Sequence, residues 1–134
     1  MKKIHFIIGV LGLGVFLFTG QYMHHVHNHL QGMEDGPRML FRASHIYILL
    51  SSLVNLSLGV YLVFPDKGIR KYFQLFISLS AIVAPFLIIL GFFSEPKLSE
   101  LARPFTKYGL YFLFGSGLLL IMLGLSEKNK IFDK

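Results

Sequence analysis

A chain of 134 residues has room for one domain, and this one is 54% apolar and only 15% charged, well below the charged share of a soluble domain. Its net charge of +6 comes from Lys and Arg residues that gather in short clusters between long apolar runs, a pattern that argues against a nucleic-acid-binding surface. Cysteine is absent, which excludes disulfides, thiolate metal sites and cysteine nucleophiles.

The first apolar run covers residues 4–23 and follows Lys2 and Lys3, so it fits either a cleavable signal peptide or a membrane span. A signal peptide should end in small residues, whereas this run ends in the segment 18–22, Phe-Thr-Gly-Gln-Tyr. We therefore predict a retained transmembrane helix. His5, next to the two lysines, is expected to face solvent or lipid headgroups.

Four histidines follow this span directly, at His24, His25, His27 and His29. Histidine-rich tracts are typical of metal binding, because neutral imidazole is the commonest metal ligand in proteins. If the helix continued through the tract, His25 and His29 would lie four residues apart on one face, and His24 and His27 three apart. In a loop the four side chains would be more independent of one another.

The second run, residues 39–64, follows a Gly-Pro turn signal at positions 36 and 37 and ends at a Pro-Asp-Lys-Gly turn. Polar and small residues recur along it at helical spacing and predict one inward-facing stripe: Arg38, Arg42, His45, Ser52, Asn55 and Gly59. The charged end of this stripe lies on the same side of the membrane as the histidine tract.

The third run, residues 72–93, contains Pro85, and the fourth, residues 104–125, begins with a proline suited to the first turn of a helix. Each of the four runs is long enough to cross a hydrocarbon core about 30 Å thick. The sequence therefore predicts one all-α domain over residues 1–134, an integral membrane four-helix bundle. In the fourth helix, Gly117 and Gly124 are expected to face another helix.

Orientation follows from the Lys and Arg residues of the short loops, which concentrate on the cytoplasmic side of a membrane. With the N-terminus inside, eight basic residues lie on the cytoplasmic side and five outside. We therefore expect both termini in the cytoplasm and a location in a bacterial inner membrane.

A histidine and two arginines at the mouth of a bundle suggest a ligand site, because charged and ionisable side chains at membrane depth are costly without a partner. We expect Arg38, Arg42 and His45 to bind a cofactor. In haem b, His45 and one tract histidine would be the axial ligands and the arginines would hold the propionates. The expected metal ligands are drawn from His24, His25, His27, His29 and His45, which suit Zn²⁺ or Cu²⁺.

A plainer interpretation remains open, in which the tract decorates a polar loop, the arginines reach lipid phosphates and His45 makes a buried hydrogen bond. The sequence accordingly predicts either a small redox or metal-handling membrane protein, or a non-catalytic accessory subunit or homo-oligomer that packs against other membrane subunits or itself. Catalysis is not expected, because no nucleophile–base pair or paired carboxylate lies inside the spans.

Overall fold

A computed structural model describes residues 1–62, 68–97 and 103–132 of the chain, with side chains described as far as residue 123. These ranges contain four α-helices that are each long and apolar enough to cross a membrane. The predicted all-α class is thus confirmed. The helices are α1 (Lys2–His25), α2 (Asp35–Tyr61), α3 (Ile69–Ser94) and α4 (Pro104–Phe132).

Helix α2 begins four residues earlier than the predicted span. Gly36 and Pro37 lie in its first turn instead of forming a separate turn, and the Arg38 N–H already bonds to the Glu34 carbonyl at 3.1 Å. A proline fits there because the first N–H groups of a helix have no partner within it. The predicted end of this span at residue 64 and most of the following turn lie outside the described residues.

Successive helices run antiparallel, with α1 packed on α2, α2 on α3 and α3 on α4. The end of α1, the start of α2, the end of α3 and the start of α4 therefore meet at one end of the bundle, which we call the histidine end. The opposite end holds Lys2, Lys3 and the start of α3, where the Arg70 guanidinium donates to the Leu123 carbonyl at 2.9 Å.

Two glycines allow the helix pairs to approach closely. A Cβ atom at Gly59 of α2 would lie 2.8 Å from the Phe6 backbone nitrogen of α1, and one at Gly109 of α4 would lie 2.8 Å from Ile88 of α3. A Cβ atom at Gly117 would have no atom of the described residues within 4 Å, so Gly117 does not pack against another helix of this chain there. The expectation is wrong for the bundle, and contact with a helix of a second chain stays a prediction. Gly124, the other half of that expectation, lies beyond the described side chains.

The described residues form two hydrophobic core clusters, and the one toward the histidine end consists of Leu30, Phe41, Ile48, Ile88 and Phe92. The other consists of Leu58, Leu62 and Ala81. The rings of Phe41 and Phe92 meet edge to face with centroids 5.2 Å apart, which joins α2 to α3. This packing also anchors the loop between α1 and α2, because Leu30 is 3% exposed.

Pro85 lies inside α3 and has no N–H, so it leaves the carbonyl of Ala81, four residues earlier, without its helical donor. The Asn55 side chain of α2 replaces that donor, because its Nδ2 lies 2.9 Å from the Ala81 oxygen. Both residues are fully buried. The interhelical hydrogen bond therefore compensates for the proline within the apolar part of the bundle.

The corner between α3 and α4 is held by Glu95, whose side chain is completely buried. Its carboxylate accepts hydrogen bonds from the Thr106 backbone N–H at 2.9 Å and from the Thr106 hydroxyl at 2.5 Å. A carboxylate at the first turn of α4 satisfies a donor that the helix leaves unpaired and suits the positive end of the helix dipole.

Candidate metal site at the histidine end

The histidine tract changes direction where α1 ends at His25. A short 3₁₀ turn, Asn28–Leu30, follows, and its three residues have φ angles of 44°, 57° and 63°. Such left-handed conformations are rare for residues other than glycine and cost about 1–2 kcal/mol each. Burial of Leu30 in the core holds this turn in place and folds the chain back over the end of α1.

The reversal brings His29 against His24. Their Nδ1 atoms are 3.1 Å apart, their ring centroids are 3.9 Å apart, and both side chains are exposed. Two nitrogens that bind one tetrahedral Zn²⁺ at 2.0–2.1 Å are about 3.4 Å apart. The observed separation is close to that value, so the two rings could bind one ion once the hydrogen bond between them is broken and the rings turn apart.

The other two tract histidines do not join this pair as ligands. The His25 ring lies 4.4 Å from the His24 ring, in an edge-to-face contact. His27 turns toward the core, with its ring 5.2 Å from Tyr22 and 4.9 Å from Phe41, and its buried Nε2 has no partner among the described residues. The pairings expected for a continuous helix do not form, because α1 stops at His25.

His45 lies deeper in the bundle than the tract, on α2 where that helix packs against α1. Its ring stacks on Phe16 at a centroid distance of 4.2 Å, and its Nδ1 is 2.9 Å from the Thr19 hydroxyl oxygen. That hydroxyl donates to the Phe16 carbonyl, so in neutral His45 the Nδ1 carries the proton and donates to Thr19. The edge of the ring that holds Cε1 and the unprotonated Nε2 lies beside Gly20, with these atoms 3.4 and 3.7 Å from where a Cβ would stand.

The two arginines of the predicted site have different surroundings. Arg38 forms an ion pair with Asp35 in the first turn of α2. Arg42 is exposed and makes no hydrogen bond or ion pair within the described ranges. It lines a recess of about 200 Å³ whose other walls are Gly20, Met23, His24, His29 and Leu30.

The structure thus gathers only part of the predicted site. His24, His29 and Arg42 share one recess, whereas Arg38 is paired elsewhere and His45 contacts α1. Among the residues that the structure describes, no three His, Asp or Glu side chains are close enough to hold a metal ion together. A metal bound here would have two protein ligands from this group.

A second polar cluster lies toward the opposite end of the bundle and includes His5. The prediction that His5 faces solvent or lipid headgroups is wrong. His5 is completely buried, with its Nδ1 2.8 Å from Asn55 Oδ1 and its Nε2 2.5 Å from the Ser78 hydroxyl. Asn55 Nδ2 donates to the carbonyls of Ser51 and Ala81, so its oxygen accepts from His5 Nδ1. Neutral His5 then accepts from Ser78, and all its hydrogen bonds are satisfied.

The sequence contains the signal for this cluster. His5 lies four and seven residues before Gly9 and Gly12, which are buried against α2, so all three share one face of α1. We expected His5 to face solvent because it follows two lysines. The ring is buried because His5 lies on the face of α1 that packs against α2.

Comparison with protein families, with curated protein sequences and with solved structures gave no match for this chain.

Proposed function

We propose that this chain is an integral membrane protein of four spans that binds a Zn²⁺ or Cu²⁺ ion at its histidine end. The observation that carries the metal proposal is the 3.1 Å separation of the Nδ1 atoms of His24 and His29 on an exposed turn. Imidazole suits both ions, and the two ligands leave coordination positions open.

The membrane part of the proposal is supported by the outward faces of the helices. Large apolar side chains are exposed on all four, which a soluble monomer of this size does not tolerate over such continuous areas. The distribution of basic residues favours cytoplasmic termini in a bacterial inner membrane, which puts the metal site on the outer face. Examples of these exposed residues are Leu11, Leu17, Leu53, Phe76, Phe86, Leu118 and Ile121.

The geometry favours a small ion over haem b. His24 and His29 face each other at hydrogen-bond distance, so no macrocycle fits between them, and the recess of about 200 Å³ is smaller than the usual 300–1,000 Å³ of cofactor sites. A haem bound by the Nε2 of His45 would have to fit beside Gly20 of α1. Haem b stays the alternative ligand of the same end of the bundle.

Metal titration of the purified full chain tests the proposal. Zn²⁺ should bind with one ion per chain, and His24→Gln and His29→Gln should each weaken binding by about 100-fold or more, because even an outer-shell partner contributes 10- to 100-fold. His25→Gln is the matched control, since this residue belongs to the tract but not to the pair. An equal loss in His25→Gln, or a Soret band without Zn²⁺ binding, would contradict the proposed pair.

A different observation favours the alternative function, a non-catalytic subunit or homo-oligomer. Gly117, in the middle of α4, has open space around it, which would accommodate a helix of another chain. Light scattering in mild detergent, with correction for bound detergent, measures whether the chain associates with itself.

A further inference from the structure

The recess at the histidine end combines the two proposed metal ligands with a cation that has no ion pair among the described residues. His24 and His29 supply the ligands, and the Arg42 guanidinium lines the same recess. No carboxylate is among the described residues that form its walls. A divalent ion bound between two neutral imidazoles would therefore stand near a second positive charge.

The neighbouring recess contains one carboxylate, which is already paired. Asp35 lines the neighbouring recess of about 370 Å³ together with Arg38 and Arg42, but its oxygen is bonded to Arg38. Arg42 therefore lies between the two recesses without an ion pair of its own among the described residues.

The coordination of the ion leaves room for a ligand that the described residues do not supply. Zn²⁺ and Cu²⁺ take about four ligands, and the described residues offer no third His, Asp or Glu near the pair. A neutral water could fill an open position, but it would not offset the charges of the ion and of Arg42. An oxyanion does both, because one of its oxygens can bind the metal while the others accept from the guanidinium fork.

We propose that the site binds its metal ion together with a phosphate-type oxyanion, which bridges the ion and Arg42. This inference rests on the proposed metal site and adds its second ligand. The phosphate can belong to a lipid headgroup, since the recess lies at the end of the apolar spans, or to a free anion outside the membrane; the chemistry is the same.

The test is a Zn²⁺ titration of the full chain in a maltoside detergent, which contains no phosphate, with chloride as the only small anion. The first arm has no addition, the second contains inorganic phosphate and the third contains phosphatidylglycerol in mixed micelles. We expect at least one addition to lower the Kd for Zn²⁺ by about tenfold, the effect of one charge-assisted contact. If only phosphatidylglycerol lowers the Kd, the oxyanion is a lipid headgroup. If only inorganic phosphate lowers it, the oxyanion is a free anion.

Without phosphate, Arg42→Gln should bind Zn²⁺ at least as tightly as the unmodified chain does, because the change removes a positive charge near the ion. It should lose the gain from either addition, because the oxyanion no longer has a guanidinium to bridge to. Arg38→Gln is the matched control, one turn away and already paired, and should keep the effect. The double variant His24→Gln/His29→Gln measures the background of Zn²⁺ captured by phosphate itself, and circular dichroism confirms equal helix content in each variant.

Zn²⁺ binding that neither phosphate nor phosphatidylglycerol strengthens would overturn this inference and leave the metal site standing. The same holds if Arg42→Gln keeps the full effect. If the unmodified chain binds no Zn²⁺ in any arm, the proposed function fails and this inference fails with it.

Discussion

Three buried hydrogen bonds converge on the side chain of Asn55. Its amide accepts from His5 and donates to the carbonyls of Ser51 and Ala81, so it connects three helices. Removing this side chain leaves a histidine N–H and a carbonyl without partners in an apolar interior, and such losses are costlier than the mean interhelical hydrogen bond suggests.

We predict that Asn55→Ala lowers the free energy of unfolding in micelles by about 2 kcal/mol. Pro85→Ala should reduce that cost by about 1 kcal/mol, because the restored N–H at position 85 can bond to the Ala81 carbonyl in place of Asn55. A double-mutant cycle, with denaturant unfolding followed by circular dichroism, measures this coupling. Ser57→Ala, on the exposed side of the same helix, is the control, and additive effects of Asn55→Ala and Pro85→Ala would refute the compensation.

At the scale of elements, α4 carries two glycines on one sequence stripe that have opposite surroundings. Gly109 is pressed against Ile88 and the Ala84 carbonyl of α3, whereas Gly117 faces open space. Sequence spacing places both on one stripe, but two helices in contact diverge along their length, and the pattern does not show where contact ends.

We expect Gly109→Leu to destabilise the bundle by about 1–3 kcal/mol through overpacking, and Gly117→Leu to leave the stability of the monomer nearly unchanged. Thermal unfolding in detergent at low protein concentration measures both. Equal destabilisation by the two changes would mean that Gly117 is covered. A Gly117→Leu chain that loses self-association but keeps its unfolding temperature would support the oligomeric alternative.

For the whole molecule, the lengths of the apolar runs were enough to predict four helices, because a run of about 20 apolar residues specifies a spanning helix almost alone. The start of α2 was not predictable in this way, since Asp35 and Arg38 are polar but form helical turns. The contact between His24 and His29 was even harder to predict, because it depends on three consecutive residues with left-handed backbone conformations, none of which is a glycine. The approach of His5 to Asn55 was readable from the faces of α1 and α2.

The proposed orientation predicts how single introduced cysteines react with thiol reagents. The chain contains no cysteine of its own, so every labelled thiol is an introduced one. A thiol at Gln31→Cys should react with an impermeant maleimide in intact cells, and one at Ile69→Cys only after permeabilisation. Both positions are exposed, at opposite ends of the bundle. The reverse labelling pattern would invert the orientation and place the histidine end in the cytoplasm.

The corner made by Glu95 and Thr106 has a consequence for how the chain enters a bilayer. Both hydrogen-bond donors to the Glu95 carboxylate belong to Thr106 of α4. The hairpin of α3 and α4 therefore satisfies this buried charge by itself as soon as α4 forms. His5, by contrast, depends on partners from later helices. It is synthesised first, and its partners Asn55 and Ser78 come 50 and 73 residues later. In a membrane, the His5 imidazole would gain its first partner with the second helix, which carries Asn55, and its second partner only with the third helix, which carries Ser78. The final depth of the first helix would then be fixed during synthesis of the third.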